Sequence, residues 1–243
     1  MKENPKWFQK LFYKETVLAI KSSLDFLSYE HFKNDLILLL PQESKKSRIR
    51  IANNILHRFF PDKKLYGFLS QIWNAYQDEL LLQEIIRYEL LVQEPAIAEF
   101  VISRILSKGE GEIFSSQEFD LYIKEVYGRE IKNLVWWLQS TVRDLGFISK
   151  ASNLWRINAV RVPEAAFILL LHRIFALYPS VTADSTILAD NYWKFTGIKD
   201  IKTVKNILYK AHLFNLLEYS NNNIKTCYTL EGLLLEFKPD KFQ

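Results

Sequence analysis

Cysteine, glycine and proline are scarce in this sequence of 243 residues, which contains one cysteine, Cys227, and seven each of glycine and proline. A single thiol forms neither an intrachain disulfide nor a cysteine-based zinc site, which predicts a protein of the reducing cytoplasm. Long apolar runs are missing too, because the longest, residues 36–40 and 165–171, are far shorter than the roughly 20 residues of a membrane-spanning helix. The N-terminus lacks the apolar core of a secretory signal. We therefore expect no membrane partner.

The residue patterns of common catalytic and metal sites are also missing. The four histidines are scattered and form no metal-ligand set with a third group nearby: His31, His57, His172 and His212. Gly109 and Gly111 are not followed by the Lys-Ser/Thr pair of a phosphate-binding loop. The sequence therefore predicts a protein without enzymatic activity, cofactor or bound metal.

Charge is distributed unevenly along the chain, although the net charge is only +4. Residues 42–64 have seven Lys and Arg against two acidic residues, a net charge of +5, and residues 194–225 have six against two, a net charge of +4. Residues 78–130 have five against twelve, a net charge of −7. A basic segment is either a solvated helix face or a surface for an anionic partner. The acidic segment is either solvated, or it repels nucleic acid or docks a basic protein.

Helical periodicity dominates the sequence, because apolar residues recur mainly at spacings of three and four, which predicts a mainly α protein. Residues 1–110 are predicted to form a helical bundle domain with a helix-turn-helix. Ser28 and Ser44 stand at the N-caps of two helices, and Pro41 and Pro61 follow their ends.

Two winged-helix-like domains with small β-hairpins are predicted next, at residues 111–178 and 179–243. In the first, Ser115 and Glu118 have the spacing of a capping box, and two helices precede two short strands. The second repeats this order, starting with a short helix at residues 186–193. A shift of 69 residues superposes the two patterns and sets Gly146 on Asn215. Gly and Asn adopt the left-handed conformation of a helix end most easily. Two unrelated helical hairpins are the alternative.

The predicted helix at residues 44–60 is the most informative segment. At about 100° per residue its apolar side chains share one side, which we expect to be buried: Ile49, Ala52, Ile55, Leu56, Phe59 and Phe60. The candidate DNA-binding residues are basic or carry amides: Lys45, Lys46, Arg48, Arg50, Asn53, Asn54, His57 and Arg58. Arg and Lys match guanine and phosphate, Asn matches adenine, and a recognition helix presents its N-terminal residues to the major groove. The alternatives are a solvated face and a protein-binding face.

A second basic helix is predicted at residues 201–214. Its expected buried residues are Val204, Ile207, Leu208, Ala211 and Phe214. Its candidate DNA-binding residues are Lys202, Lys205, Asn206 and Tyr209, with Lys225 in the predicted wing. We expect both basic helices to bind one duplex, and a solvated face is again the alternative.

Trp136 and Trp137 lie off the apolar stripe of the corresponding helix in the first winged-helix-like domain. Two tryptophans are costly to leave in water, so we expect them to pack against another domain. The alternatives are a partner surface and base stacking. This unit is therefore predicted to be more structural than DNA-reading.

Several segments share spacing and residue character with a known family. They are residues 15–17 (ETV), 45–48 (KKSR), 53–56 (NNIL), 80–92 (LLLQEIIRYELLV), 97–106, 116–127 and 137–148 (WLQSTVRDLGFI). On these segments, between residues 13 and 175, the chain resembles the BrxA family of bacterial BREX phage-defence systems. The resemblance implies a small, helical, non-enzymatic DNA-binding protein that works beside a methyltransferase and other large defence components.

The predicted function is therefore non-enzymatic binding of double-stranded DNA, with weak or no sequence preference, as an accessory of a phage-defence complex. The expected partners are double-stranded DNA and defence-system proteins such as a methyltransferase. The alternative is a protein-interaction adaptor that docks partner subunits through its basic and acidic faces.

Overall fold

The computed structural model describes residues 7–175, 181–190 and 192–242. These residues are mainly helical and contain two small three-stranded antiparallel sheets, which confirms the predicted mainly α class. The helices are α1 (Tyr13–Ser22), α2 (Tyr29–Leu39), α3 (Lys45–Phe59), α4 (Phe68–Tyr76), α5 (Glu79–Gln93), α6 (Pro95–Phe100), α7 (Gln117–Tyr127), α8 (Lys132–Asp144), α9 (Glu164–Phe175), α10 (Asp184–Ala189), α11 (Tyr192–Thr196), α12 (Ile201–Leu213), α13 (Leu230–Glu236) and α14 (Pro239–Phe242). The strands are β1 (Ile113–Phe114), β2 (Ile148–Ala151), β3 (Leu154–Ile157), β4 (Val181–Ala183), β5 (Leu217–Ser220) and β6 (Asn223–Thr226).

The chain forms two compact units. The first contains Met1–Asn74 and Glu89–Val160, and the second contains Ala75–Tyr88 and Arg161–Gln243. The predicted domain boundary at residue 110 falls inside the first unit, and the boundary at residues 178 and 179 lies outside the described residues. In the parts of the chain that the structure describes, no helix is both long enough and apolar enough to cross a membrane.

The core of the first unit lies between the amphipathic helices and one sheet face. Phe100 stacks on Phe119 with ring centroids 4.8 Å apart, and Phe119 also meets the edge of Trp155 on β3. In the second unit the helix α9 is buried over most of its length, and Phe167 stacks on Tyr192 with ring centroids 5.1 Å apart. Aromatic and aliphatic burial of this kind is the main favourable contribution to folding.

Residues that are 69 positions apart also make equivalent backbone hydrogen bonds in the two units. Phe147 N donates to Val142 O at 3.2 Å, and Leu216 N donates to Ala211 O at 2.9 Å. Gly146 and Asn215 both have positive φ, of 83° and 57°. The hairpins share their register as well, because Ile148 pairs with Ile157 and Leu217 pairs with Thr226.

Each sheet has a third strand that the sequence pattern missed. β1 pairs with β3, with Ile113 opposite Arg156, and β4 pairs with β6, with Thr182 opposite Ile224. The shift would set Thr182 opposite Lys225, so this strand differs in register by one residue between the two units. Strands of two and three residues carry no readable alternation, which explains why the pattern did not reveal them.

Helix ends follow the predicted caps only in part. Ser44 caps α3, because its hydroxyl accepts from Ser47 N at 3.2 Å. Ser28 precedes α2 as predicted but makes no side-chain cap hydrogen bond. The predicted capping box before α7 is wrong, since Glu118 N donates to the carbonyl oxygen of Ser115 at 3.3 Å and not to its side chain. Ser116 precedes the helix instead.

The predicted single helix at residues 186–193 is also wrong, because α10 and α11 occupy this region. Asp190 adopts an extended conformation after α10, and its Oδ1 accepts from Tyr192 N at 2.8 Å. A carboxylate that satisfies the first free amides of a helix stabilises a new start at that point.

We expect Gly128→Ala to lower the free energy of unfolding by about 1 kcal/mol. Gly128 ends α7 with φ at 71°, and its amide donates to Lys124 O at 2.9 Å. No atom lies within 4 Å of an added Cβ, so the cost comes from the left-handed backbone alone. Gly109→Ala is the matched control, because Gly109 lies outside the left-handed region and its added Cβ meets nothing closer than 4.0 Å. Urea unfolding measures both, and equal effects of the two substitutions would contradict the assignment.

Candidate nucleic-acid interface

The helix α3 buries one side as predicted, with one correction. Ala52, Ile55, Leu56 and Phe59 are buried. Ile49 was expected among them but is 36% exposed, whereas Ile51 is 2% exposed. Ile51 lies four residues before Ile55 and continues the buried stripe, while Ile49 lies four residues before the exposed Asn53.

The opposite side of α3 is exposed and basic in its N-terminal half. Lys45, Lys46, Arg50 and Asn53 are all exposed. Within the residues that the structure describes, no acidic side chain forms an ion pair with any of the three cations. Arg48 is half-buried, and its Nε is a buried donor without a hydrogen-bond partner in that part of the chain. His57 is exposed nearer the C-terminal end. Four cations are therefore concentrated on the first turns of the helix.

Arg58 does not belong to this face, which corrects its prediction as a DNA-binding residue. Its side chain is buried and forms an ion pair with Glu94. Its Nη2 donates to Gln9 O at 2.9 Å, and its Nη1 donates to Lys10 O at 3.2 Å. Burial lowers the pKa of the Arg58 guanidinium, and Glu94 opposes this change. A buried guanidinium is retained where a carboxylate and carbonyl oxygens satisfy its donors.

The contacts of Arg58 hold residues 7–12 against the C-terminal half of α3. We call these residues the N-terminal segment. Asn54 contributes, because its amide donates to the Gln9 side chain and its Oδ1 accepts from Arg58 at 3.3 Å. Further along the segment, Leu11 N donates to the Thr141 hydroxyl of α8 at 3.1 Å. Asn54 is therefore half-buried, and α3 offers an open basic surface mainly in its N-terminal half.

Two adjoining hollows flank this face within the first unit. The first has a volume of about 400 Å³, and its aromatic lining consists of Trp7, Phe8, Phe12, Trp136 and Trp137. The second has a volume of about 440 Å³ and is lined by polar side chains that include Arg50, Asn53, Asn54 and His57. Trp7, Gln9, Arg50 and Asn54 line both hollows. We call Trp7, Phe12, Trp136 and Trp137 the tryptophan cleft.

The tryptophans of α8 are less covered than the sequence suggested. Trp136 is 55% exposed, and Lys10 Nζ lies 4.5 Å from its ring centroid. Trp137 is half-buried. In the first unit both contribute to the hollow beside the N-terminal segment. No sequence pattern indicated a role for Trp7, because it precedes the first predicted helix and its position depends on how the N-terminal segment is held.

The basic face of α12 in the second unit is partly neutralised. Lys202, Asn206 and Tyr209 are exposed as predicted. Lys205 Nζ lies 3.9 Å from the Asp184 carboxylate, and Lys225 Nζ lies 3.5 Å from that of Glu218.

The Tyr219 hydroxyl donates to Asp184 at 2.9 Å, and burial together with this hydrogen bond raises the pKa of Tyr219 to about 12. Phe214 was expected to be buried but is 48% exposed. It follows the end of the helix, where the apolar stripe no longer fixes its direction, and its ring meets the edge of Phe242.

Comparisons with known proteins identify no relative, since no family model, no curated protein and no solved structure matches the chain. The resemblance to the BrxA family, and with it the defence context, stays a prediction. Among the described residues no group of three His, Cys, Asp or Glu side chains could hold a metal ion. The exposed cations of α3 and α12 are the candidate ligand-binding groups.

We expect Arg58→Ala to lower the free energy of unfolding by about 3 kcal/mol, because it removes a buried ion pair and two hydrogen bonds to the N-terminal segment. Arg50→Ala is the matched control on the same helix, and its exposed side chain should change stability by less than about 0.5 kcal/mol. Urea unfolding monitored by circular dichroism measures both. If Arg58→Ala is as harmless as Arg50→Ala, Arg58 does not anchor the segment.

Proposed function

We propose that the protein binds double-stranded DNA without catalysis, through the N-terminal half of α3. The observation that carries this proposal is the set of exposed cations on one helix face without ion-pair partners in the described chain: Lys45, Lys46 and Arg50. Phosphate oxygens are the natural partners of such a set, because the release of counterions from DNA drives binding to clustered Lys and Arg. The exposed Asn53 adds a side chain that can bond to a base edge.

The packing of α2 and α3 supports a helix-turn-helix role for these residues. Residues 40–44 connect the two helices, which pack against each other, and the cap at Ser44 fixes where α3 begins. In a helix-turn-helix the second helix presents its first turns to the major groove. Those turns are the part of α3 that the N-terminal segment leaves exposed.

A winged-helix-like role for α12 and the β5–β6 hairpin is the second part of the proposal. Lys202 and Asn206 are available on α12 to contact DNA, whereas Lys205 and Lys225 share their charge with Asp184 and Glu218. Neutralised cations release fewer counterions. We therefore assign α12 the smaller share of the affinity and α3 the larger one.

The biological setting rests on the resemblance to the BrxA family alone. It implies an accessory of a BREX-type phage-defence system, in the cytoplasm, with a methyltransferase among its neighbours. The contacts to phosphate favour binding with weak or no sequence preference. A protein-interaction adaptor is the function that remains if duplex DNA is not bound.

Combined substitution of Lys46→Ala, Arg50→Ala and Asn53→Ala should weaken duplex binding by about 10- to 100-fold, because it removes two phosphate partners and one base contact. Some binding should remain through α12. All three residues are exposed, so the fold should be unaffected. Fluorescence anisotropy with a labelled duplex at low salt measures the affinity.

The matched control is Lys14→Ala with Lys124→Ala, which removes the same charge from exposed positions on α1 and α7. It should change the affinity by less than about threefold. If the control weakens binding as much as the triple substitution does, the contact is not on α3. If the unsubstituted protein does not bind duplex DNA, the adaptor function replaces the proposal.

A further inference from the structure

Two tryptophan side chains of the tryptophan cleft are more than half exposed and converge on one hollow. Trp7 is 53% exposed and Trp136 is 55% exposed, and both line the same hollow. Its volume of about 400 Å³ falls within the roughly 300–1,000 Å³ that is typical of small-molecule sites. Exposed aromatic side chains that converge on one hollow mark a binding site more often than scattered ones do.

Two cations lie against these rings, which favours an anionic ligand. Lys10 Nζ lies 4.5 Å from the centroid of Trp136 and 5.5 Å from that of Phe12. The Arg129 guanidinium lies 5.9 Å from the centroid of Trp7. An apolar peptide side chain would fill the hollow but would gain nothing from these charges. An aromatic ligand that is part of an anionic strand matches both the rings and the cations.

Arg50 connects the cleft with the basic face of α3. It lines the hollow that contains the tryptophans and also the polar hollow that contains Asn53 and His57. Phosphates bound at Arg50 would therefore lie beside the entrance of the cleft. Gln9 and Asn54 also line this hollow, where the Asn54 amide donates to the Gln9 side chain, and the remaining N–H groups of the two amides can bond to the edge of a planar ligand.

We propose that the tryptophan cleft binds one unpaired base of a DNA strand, at a bulge or another break in pairing. The proposal rests on the proposed DNA binding and adds the kind of DNA that is preferred. Trp7 and Trp136 provide the faces on which the base stacks, Lys10 and Arg50 bind the adjacent phosphates, and Gln9 and Asn54 contact the base edge. Every base has a face that stacks, so no base is strongly preferred.

The experiment compares two labelled duplexes, one fully paired and one that differs only by a single unpaired adenine inserted in one strand. Anisotropy should show that the protein binds the bulged duplex about tenfold more tightly, which is the contribution expected from one stacked base. Trp136→Ala and Trp7→Ala should each reduce this preference while leaving the affinity for the paired duplex within about twofold. Trp136→Phe should retain most of the preference. Leu121→Ala is the control, because it truncates another exposed apolar side chain of the first unit.

The outcomes separate this proposal from the function on which it rests. If the paired duplex binds and the bulged duplex binds equally well, the cleft proposal is overturned and duplex binding stands. If a preference exists but survives both alanine substitutions, the unpaired base is bound elsewhere and the proposal is again overturned. If neither duplex binds, both proposals fail. Loss of the preference in both alanine variants, with retention in Trp136→Phe and Leu121→Ala, supports the cleft as the site.

Discussion

The buried interaction of Arg58 with Glu94 and with the backbone of the N-terminal segment is the constraint on which the candidate site depends. It holds residues 7–12 across the C-terminal half of α3 and so leaves the N-terminal half as the open basic surface. It also holds Trp7 beside the tryptophans of α8. Arg58 was predicted from the sequence to bind DNA. In the structure it instead shapes the surface on which Lys45, Lys46 and Arg50 lie. Because the guanidinium is buried, its removal should disturb the fold and the site together.

The two helix-and-hairpin segments that the shift of 69 residues relates share one backbone arrangement but present different surfaces. The backbone hydrogen bonds around Phe147 recur around Leu216, and the hairpin registers match. At corresponding positions of α8 and α12, however, Trp136 matches Lys205 under the shift of 69 residues. The first copy thus presents an aromatic surface where the second presents a basic one. Buried positions are fixed by packing, whereas exposed positions are free to change their chemistry.

Features encoded locally were predictable from the sequence. The bounds of α3, its Ser44 cap and the two hairpins follow from periodicity, caps and turn residues within a few positions of one another. The role of Arg58 was not predictable, because it depends on Glu94 and on the N-terminal segment, both distant in sequence. The convergence of Trp7 and Trp136 depends on the same contacts. A helical wheel ranks side chains by direction alone, and it does not show what lies beside them.

The dependence of duplex affinity on salt tests the central claim most directly, because it counts the phosphates that are neutralised. If Lys45, Lys46 and Arg50 each bind one phosphate, a plot of log affinity against log salt should fall steeply for the unsubstituted protein. Replacement of these three residues by alanine should then reduce the slope by about 0.9 for each residue removed. An affinity that barely changes between low and physiological salt would contradict the account. So would a steep slope that the three substitutions leave unchanged.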